Sequence, residues 1–461
     1  MDQKENKMGT VPIPKLLFQM ALPAIIAMMV QALYNIVDSI FVSRLGEEAL
    51  TALSLAFPIQ LIIIAFFVGL GIGINSLVSR KLGAKDVESA TNAAEHGFII
   101  AGILYVIIAI LAFMVPKAFF ANFTNDPLVI EYGVQYITIV MLFAFGRIFA
   151  QAGISVMQGT GEMVKPMKAT MIGAIGNMIL DPILIFGWFG IPAMGIRGAA
   201  IATVAAQILS MLYVFHAIFR QKVSLQLNMK SFHYDSKMIR QIVVVGLPAA
   251  IMQGLGSVML TGLNLILASF SGSAVAVLGV YFKLQSFIFM PIFGLGQGTM
   301  PIIGYSFGAK NRPRMMEAIR FALLTAVTIM VLGTIVFQFF PSSLLKMFNS
   351  SPAMMTIGVH AFRTISWIFP MAGISIVLST SFQAMGKAHL SMVVSFIRQL
   401  VVLLPSAYFF GKYFGLDAVW YSFIASEIVG LSTVLFLFRS VMKSQLSGWT
   451  ESSETISVEV E

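Results

Sequence analysis

The strongest constraint on this chain is a series of apolar runs that carry no charge: Leu61–Gly73, Ile99–Val115 and Val327–Phe340. Each lies inside a longer apolar segment, and a helix crosses the hydrocarbon core of a bilayer with about 20 apolar residues. In lipid the backbone must satisfy its own hydrogen bonds, so only helices and closed barrels span. The runs lack the alternation of barrel strands. The expected fold class is therefore all-α and integral to the membrane. The composition agrees, with 58% hydrophobic and 11% charged residues, where soluble domains carry about 25% charge. With no cysteine, disulfides and thiolate metal sites are excluded. Met1–Lys15 is polar and basic with no small-residue cleavage site, so the first apolar segment reads as a span rather than a signal peptide.

Hydropathy places spans near 16–43, 52–79, 93–115, 130–155, 168–188, 197–219, 240–268, 276–305, 317–340, 355–381, 391–410 and 417–438. Twelve spans put both termini on one side. Of the 29 Lys and Arg, 20 fall in the loops and ends of that side. Only Arg44, Lys117, Arg197, Lys346 and Lys412 fall opposite, and Arg147, Lys283, Arg363 and Arg398 lie inside spans. Cytoplasmic loops of membrane proteins are rich in Lys and Arg, so both termini are expected in the cytoplasm of a multi-pass cell-membrane protein, in a bacterium the inner membrane. The same bias accounts for the net charge of +9 without a nucleic-acid partner.

The chain also repeats itself at a constant offset of 225 residues. Leu22-Pro23-Ala24 recurs as Leu247-Pro248-Ala249, Gly69-Leu70-Gly71 as Gly294-Leu295-Gly296, and Gly83-Ala84-Lys85 as Gly308-Ala309-Lys310. Pro116, Phe123 and Pro127 recur as Pro341, Phe348 and Pro352. Two six-helix lobes in parallel orientation follow, a plan of secondary transporters whose substrate site lies between the halves. The expected organisation is a cytoplasmic segment 1–15, a first lobe 16–220, a linker 221–239, a second lobe 240–440 and a cytoplasmic acidic tail 441–461. Gly69-x-Gly71-x-Gly73 sits mid-span and follows no strand, so it reads as close helix packing rather than a nucleotide loop.

An ionised carboxylate at mid-membrane costs about 2.5–3.5 kcal/mol on insertion scales. Three stand out: Asp38, Asp181 and Glu427. Gln31, Tyr34, Asn35 and Asp38 recur at spacings of three and four, which puts them on one helical face. A position of Asp38 near the outer interface is the alternative. Asn177 and Asp181 are one turn apart, and Pro182 leaves the Met178 carbonyl without its helical donor. Carboxylate, amide and carbonyl oxygens suit Na⁺, or a proton on the acid; a structural kink is the alternative. Thr203 and Gln207, one turn apart on the next span, add further oxygens. If Asp38 and Asp181 share a cavity, both cannot stay ionised cheaply, and a proton or cation binds between them. The offset of 225 leads from these acids to Leu263 and Ser406, so the second half lacks matching acids. Glu427 either lines the cavity or pairs with Arg398 or Lys283. Arg147 and Arg363 read as structural partners.

These residues resemble the multidrug and toxic compound extrusion family, in the branch of MepA-like pumps. The resemblance covers about residues 15–440. It rests on Leu22-Pro23, Tyr34-Asn35-x-x-Asp38, Gln158-Gly-Thr-Gly161, Asn177-x-x-x-Asp181-Pro182 and the echo Gln383-Ala-Met-Gly386. It implies two lobes around a central cavity, with alternating access driven by Na⁺ or H⁺. By motif it assigns cation coupling to Asp38, Asn177 and Asp181, with Na⁺ at those three, and to Thr203. Gln31, Tyr34, Asn35, Gln207 and Glu427 are the expected substrate cavity.

The expected function is secondary active export of amphipathic organic cations by H⁺ or Na⁺ antiport. The protein would work as a monomer, without a cofactor, and is not an enzyme. A flippase of lipid-linked saccharides is the alternative reading. It would gather cationic residues for pyrophosphate, and the spans offer only Arg147, Lys283, Arg363 and Arg398.

Overall fold

A computed structural model describes residues 6–220, 225, 227, 232–348 and 351–446. Among them, ten single helices are long and apolar enough to cross a bilayer, and two bent helix pairs bring the number to twelve. The first six are α1 (Ile13–Ser43), α2 (Glu47–Gly83), α3 (Val87–Phe123), α4 (Pro127–Leu142 with Phe145–Gly159), α5 (Val164–Phe186) and α6 (Gly195–Arg220). The second six are α7 (Ser236–Ala268), α8 (Gly272–Gly308), α9 (Arg312–Phe339), α10 (Pro352–Ser366 with Phe369–Ala384), α11 (Ala388–Phe414) and α12 (Tyr421–Leu446). Several helices overrun the expected spans: α3 continues to Phe123 and α12 to Leu446. A helix of 37 residues is about 55 Å long, well beyond the ~30 Å hydrocarbon core, so its ends stand in the interface where hydropathy is silent. Most of the acidic tail 441–461, and parts of segment 1–15 and linker 221–239, lie outside the described residues.

The repeat is structural as well as sequential. α2 and α8 each have 37 residues, and both their ends are displaced by 225. The turns that follow place Lys85 and Lys310 in the left-handed region, at φ 60° and 54°, which costs a residue with a Cβ about 1–2 kcal/mol. Each turn is fixed by a cap: Asp86 Oδ1 accepts the Ser89 N–H and Asn311 Oδ1 the Arg314 N–H, both at 3.0 Å. The bends of α4 and α10 measure 45° and 49°. Gly161 and Gly386, two residues beyond the ends of these helices at Gly159 and Ala384, have φ of +90° and +80°.

The halves are joined through α1, α2, α7 and α8: α2 packs on α7 and α8, and α8 on α1. Glycines set the approach. A Cβ at Gly69 or Gly73 would strike the carbonyl oxygen of Gly246 or Ile242 on α7, and one at Gly294 or Gly298 would strike the backbone of Ile25 or Ala21 on α1. Between them, Gly71 and Gly296 face Ser155 on α4 and Thr380 on α10. The glycine stripe is thus a packing device, used twice with pseudo-two-fold symmetry.

At the end that bears both termini, α2 and α8 cross so closely that a Cβ at Gly83 would overlap the Tyr305 carbonyl, and one at Gly308 the Arg80 carbonyl. The segment before α1 lies over this crossing and ties the halves together. Arg314 on α9 donates to the carbonyls of Met8 and Val11 at 2.8 and 2.6 Å. On the other half, Asn6 donates to the Thr160 carbonyl at 3.4 Å, and Lys7 lies 3.6 Å from Glu162. Overpacking a close contact costs about 1–3 kcal/mol. Gly308→Val and Gly83→Val should therefore each lower the melting temperature in detergent by a similar amount. Gly254→Ala and Gly256→Ala on α7, whose Cβ atoms would meet open space, should leave it unchanged. Equal melting temperatures for the two pairs would show that the crossing is not under this constraint.

Candidate functional site

A cavity of about 640 Å³ lies between the halves. Its first-half wall comes from α1, α2, α4, α5 and α6, and its second-half wall from α7, α8, α10 and α11. Gln158 on α4 donates to Gln297 on α8 at 3.2 Å, and Ser76 on α2 donates to the Gln383 carbonyl on α10 at 2.7 Å. Both bonds cross between the halves and close the cavity toward the end bearing the termini.

Behind the first-half wall is the acidic pair. Asp181 is 0% exposed and lies on α5 beside Pro182, which continues the helix without an N–H to donate. The Asp38 carboxyl, on α1, is within hydrogen-bonding reach of the Asp181 carboxyl. Asn177 links the pair to α6, with Nδ2 3.3 Å from both Asp181 Oδ1 and Thr203 Oγ1. Turning the amide over strengthens the link: nitrogen then donates to Asp181 Oδ2 at 2.6 Å and oxygen accepts the Thr203 N–H at 3.1 Å. Thr203 Oγ1 itself donates to the Ala199 carbonyl at 2.9 Å. Two carboxylates, an amide and a hydroxyl are hard donors of the kind that hold a proton or an alkali cation rather than a soft metal.

The structure brings Asp38, Asn177, Asp181 and Thr203 into one cluster. Asn177 and Thr203 also line the cavity, as do Gln31, Tyr34 and Gln207, whereas Asp38 and Asp181 stand behind the wall. Asn35 is exposed and outside the cavity lining. Glu427 is also outside it. It is 2% exposed, and its carboxylate accepts from Arg398 Nη1 at 3.1 Å and from Ser375 Oγ at 2.9 Å. Arg398 and Ser375 are the wall residues there. Arg398 stands on a π-helical turn, Ile397–Leu403, where the wider winding alters which residues face inward.

Sequence reasoning missed three contributors. Tyr136 on α4 is 5% exposed; its hydroxyl hydrogen-bonds the side chains of Gln60 and Thr203 and neighbours both acids. Gln60 was visible as a lone amide in the apolar run of α2, a signal that membrane helices rarely give without a partner. Arg147 neighbours Tyr34 and faces the cavity, where its sequence reading was structural. Arg363 keeps that reading, since its Nε donates to the Gln338 carbonyl at 3.3 Å.

Similarities to known proteins fall on this frame. A FAD transporter of Shewanella oneidensis is 27% identical over 405 residues, covering 86% of this chain and 88% of that one. The multidrug export protein MepA of Staphylococcus haemolyticus is 26% identical over 93% of both chains. A solved structure described as the outward-facing conformation of a multidrug resistance MATE family transporter superposes with a TM-score of 0.90. It is 26% identical and covers 95% of this chain and 98% of its own. The MatE family model matches residues 23–183 and 248–409, two stretches that begin 225 residues apart, as the internal repeat does. On that match over both halves, the chain belongs to the MatE family, the multidrug and toxic compound extrusion transporters, and is a transporter rather than an enzyme.

Proposed function

We propose that the protein exports amphipathic organic molecules across a cell membrane by antiport with H⁺ or Na⁺, with both termini in the cytoplasm. The observation that carries the proposal is the meeting of the Asp38 and Asp181 carboxyls, linked through Asn177 and Thr203 to the wall of the cavity. Two carboxylates at this separation in a low-dielectric site need a proton or cation between them. Loading and unloading that ion changes the charge behind the wall by one unit.

The helix that carries Asp38 also carries the seam. α1 contributes Asp38 to the pair and, about four to five turns earlier, Ala21 and Ile25 to the contact with Gly298 and Gly294 on α8. An ion that draws α1 toward α5 therefore acts on the junction between the halves. An ion shifts a conformational equilibrium only by its difference in affinity for the two states, and reversing a 1:99 ratio takes about 5.5 kcal/mol. A charge pair buried in one state and hydrated in the other is a source of such a difference.

The cavity suits amphipathic ligands, since glutamine side chains alternate there with Met28, Met163, Met167, Met252, Met300, Phe289 and Phe293; flexible thioethers adapt to varied apolar shapes. The names of the relatives, a multidrug exporter and a FAD transporter, fit such a ligand range. A lipid-linked saccharide flippase is not favoured. Of the four intramembrane cations, Lys283 is exposed outside the cavity and Arg363 is engaged with Gln338.

Transport in proteoliposomes loaded with ethidium or with riboflavin 5′-phosphate, under separate pH and Na⁺ gradients, tests the proposal. One gradient should drive export of at least one dye, and Asp181→Asn should abolish that gradient dependence. Export indifferent to both gradients, or unchanged in Asp181→Asn, would remove the coupling role of the pair. Asn177→Ala, which cuts the link between the pair and Thr203, should lower the gradient-driven rate about tenfold, the scale of a lost hydrogen bond to a charged group. Its melting temperature should fall by no more than a few degrees. An unchanged rate would place the link outside the coupling path.

A further inference from the structure

The acids lie behind the cavity, and the wall itself carries a different charge. Arg147 and Arg398 are the two charged residues among those lining it, and no Asp or Glu is among them. They belong to opposite halves, Arg147 on α4 and Arg398 on α11. Arg398 is neutralised by Glu427 at 3.1 Å. Arg147 takes part in no hydrogen bond or ion pair among the described residues; its electrostatic neighbour is the Tyr34 hydroxyl. Arg147 is half-buried, and its unpaired guanidinium opens onto the cavity; five N–H donors in a rigid fork match a phosphate or carboxylate.

Two further wall groups lack partners. Asn75 Oδ1 and Gln399 Oε1 are buried acceptors without a donor, both on the cavity, and Asn75 is only 3% exposed. A buried orphan acceptor costs about 1–3 kcal/mol; both oxygens are closed off from the cavity in this arrangement, so a ligand N–H or O–H reaches them once the amides turn toward it. A purely apolar cation offers no such donor and places a positive charge beside Arg147. A planar heteroaromatic body with N–H and C=O groups on its edge matches the glutamine amides of the wall, and the faces of Phe289 and Phe293 on α8 suit its rings.

We infer that the cavity selects amphipathic anions, an organic phosphate or carboxylate on a heteroaromatic body, with Arg147 as the residue that binds the anionic group. This names the substrate class of the proposed exporter and rests on that reading. It departs from the organic cations expected from Asp38 and Asp181, because those carboxylates do not face the ligand.

Equilibrium binding to the purified full-length protein in detergent, with no ion gradient, tests the inference separately from coupling. Three probes are used: riboflavin 5′-phosphate, neutral riboflavin, and the permanent cation tetraphenylphosphonium. Riboflavin 5′-phosphate should bind at least tenfold more tightly than either of the others. Arg147→Gln should erase the preference for the phosphate while leaving riboflavin affinity within twofold; Arg147→Lys should retain part of it. Equal affinity for the two flavins, or tightest binding of the cation, would overturn the inference even where the Arg147 variants fail to fold. A preference that survives Arg147→Gln would overturn the role of Arg147. Displacement of the flavin phosphate by lysophosphatidate, at lower concentration than by unlabelled flavin phosphate, would overturn the heteroaromatic body in favour of an anionic lipid. Because no gradient is imposed, failed coupling leaves these comparisons standing, and a failed anion preference leaves the role of Asp181 untouched.

Discussion

Close backbone contact between the two halves is the constraint on which the rest of the structure depends. In lipid, apolar side chains gain little by leaving hydrocarbon for one another, so helices associate through close packing and interhelical hydrogen bonds. Here the approach is set by glycines on α2 and α8 that admit α7 and α1 without an intervening side chain. The arrangement is used once in each direction, because the second half repeats the first at an offset of 225. A seam made of backbone contacts tolerates little in-between: the helices either meet or part. In the proposed exporter that would be the physical basis for two discrete states, since the cavity lies along the same seam.

The halves share a backbone plan and differ in chemistry. The positions 225 beyond Asp38 and Asp181 hold Leu263, which is 0% exposed in the second-half core, and Ser406, whose hydroxyl bonds the Val402 carbonyl at 2.6 Å. In place of an acid pair the second half has a satisfied ion pair: Glu427 with Arg398 and Ser375. A buried pair with both partners present is electrically quiet, whereas removing one partner is strongly destabilising. Symmetry therefore supplies the seam, and the break in symmetry puts the acid pair proposed for coupling on one side of it.

The spans were legible because their signal is local: each long apolar run can satisfy its backbone only as a helix. The repeat was legible because symmetry preserves the residues that turns and seams demand, Lys85 with Lys310 and Gly69 with Gly294. Asn177 and Asp181 declared themselves by one-turn spacing next to Pro182. What stayed hidden depends on packing between helices. Nothing in the sequence near Tyr136 or Gln60 points to a partner on α5 or α6, and one helical face cannot say whether it meets a cavity or another helix. For that reason Asn35 and Asp38, grouped on a single stripe of α1, separate in the structure: the carboxylate turns toward α5 and the amide lies exposed. The π-turn at Ile397–Leu403 is likewise a property of packing, and it decides where Arg398 stands.

The position of the acids behind the wall, rather than on it, separates two tasks that would otherwise compete. A carboxylate that touched the ligand would have to choose between ion and substrate, and its ion affinity would then vary with every drug that bound. With Asn177 and Thr203 between the pair and the cavity, the proposed coupling would reach the ligand through a shared helix and a shared field, not through a shared ligand atom. Coupling of that kind is a free energy between two sites and is reciprocal. It demands only that ion and substrate prefer different arrangements of α1, and not that they carry the same charge. A wall bearing Arg147 and a pair bearing Asp38 and Asp181 are therefore compatible in the proposed exporter, where the ion would set the direction and the wall the substrate.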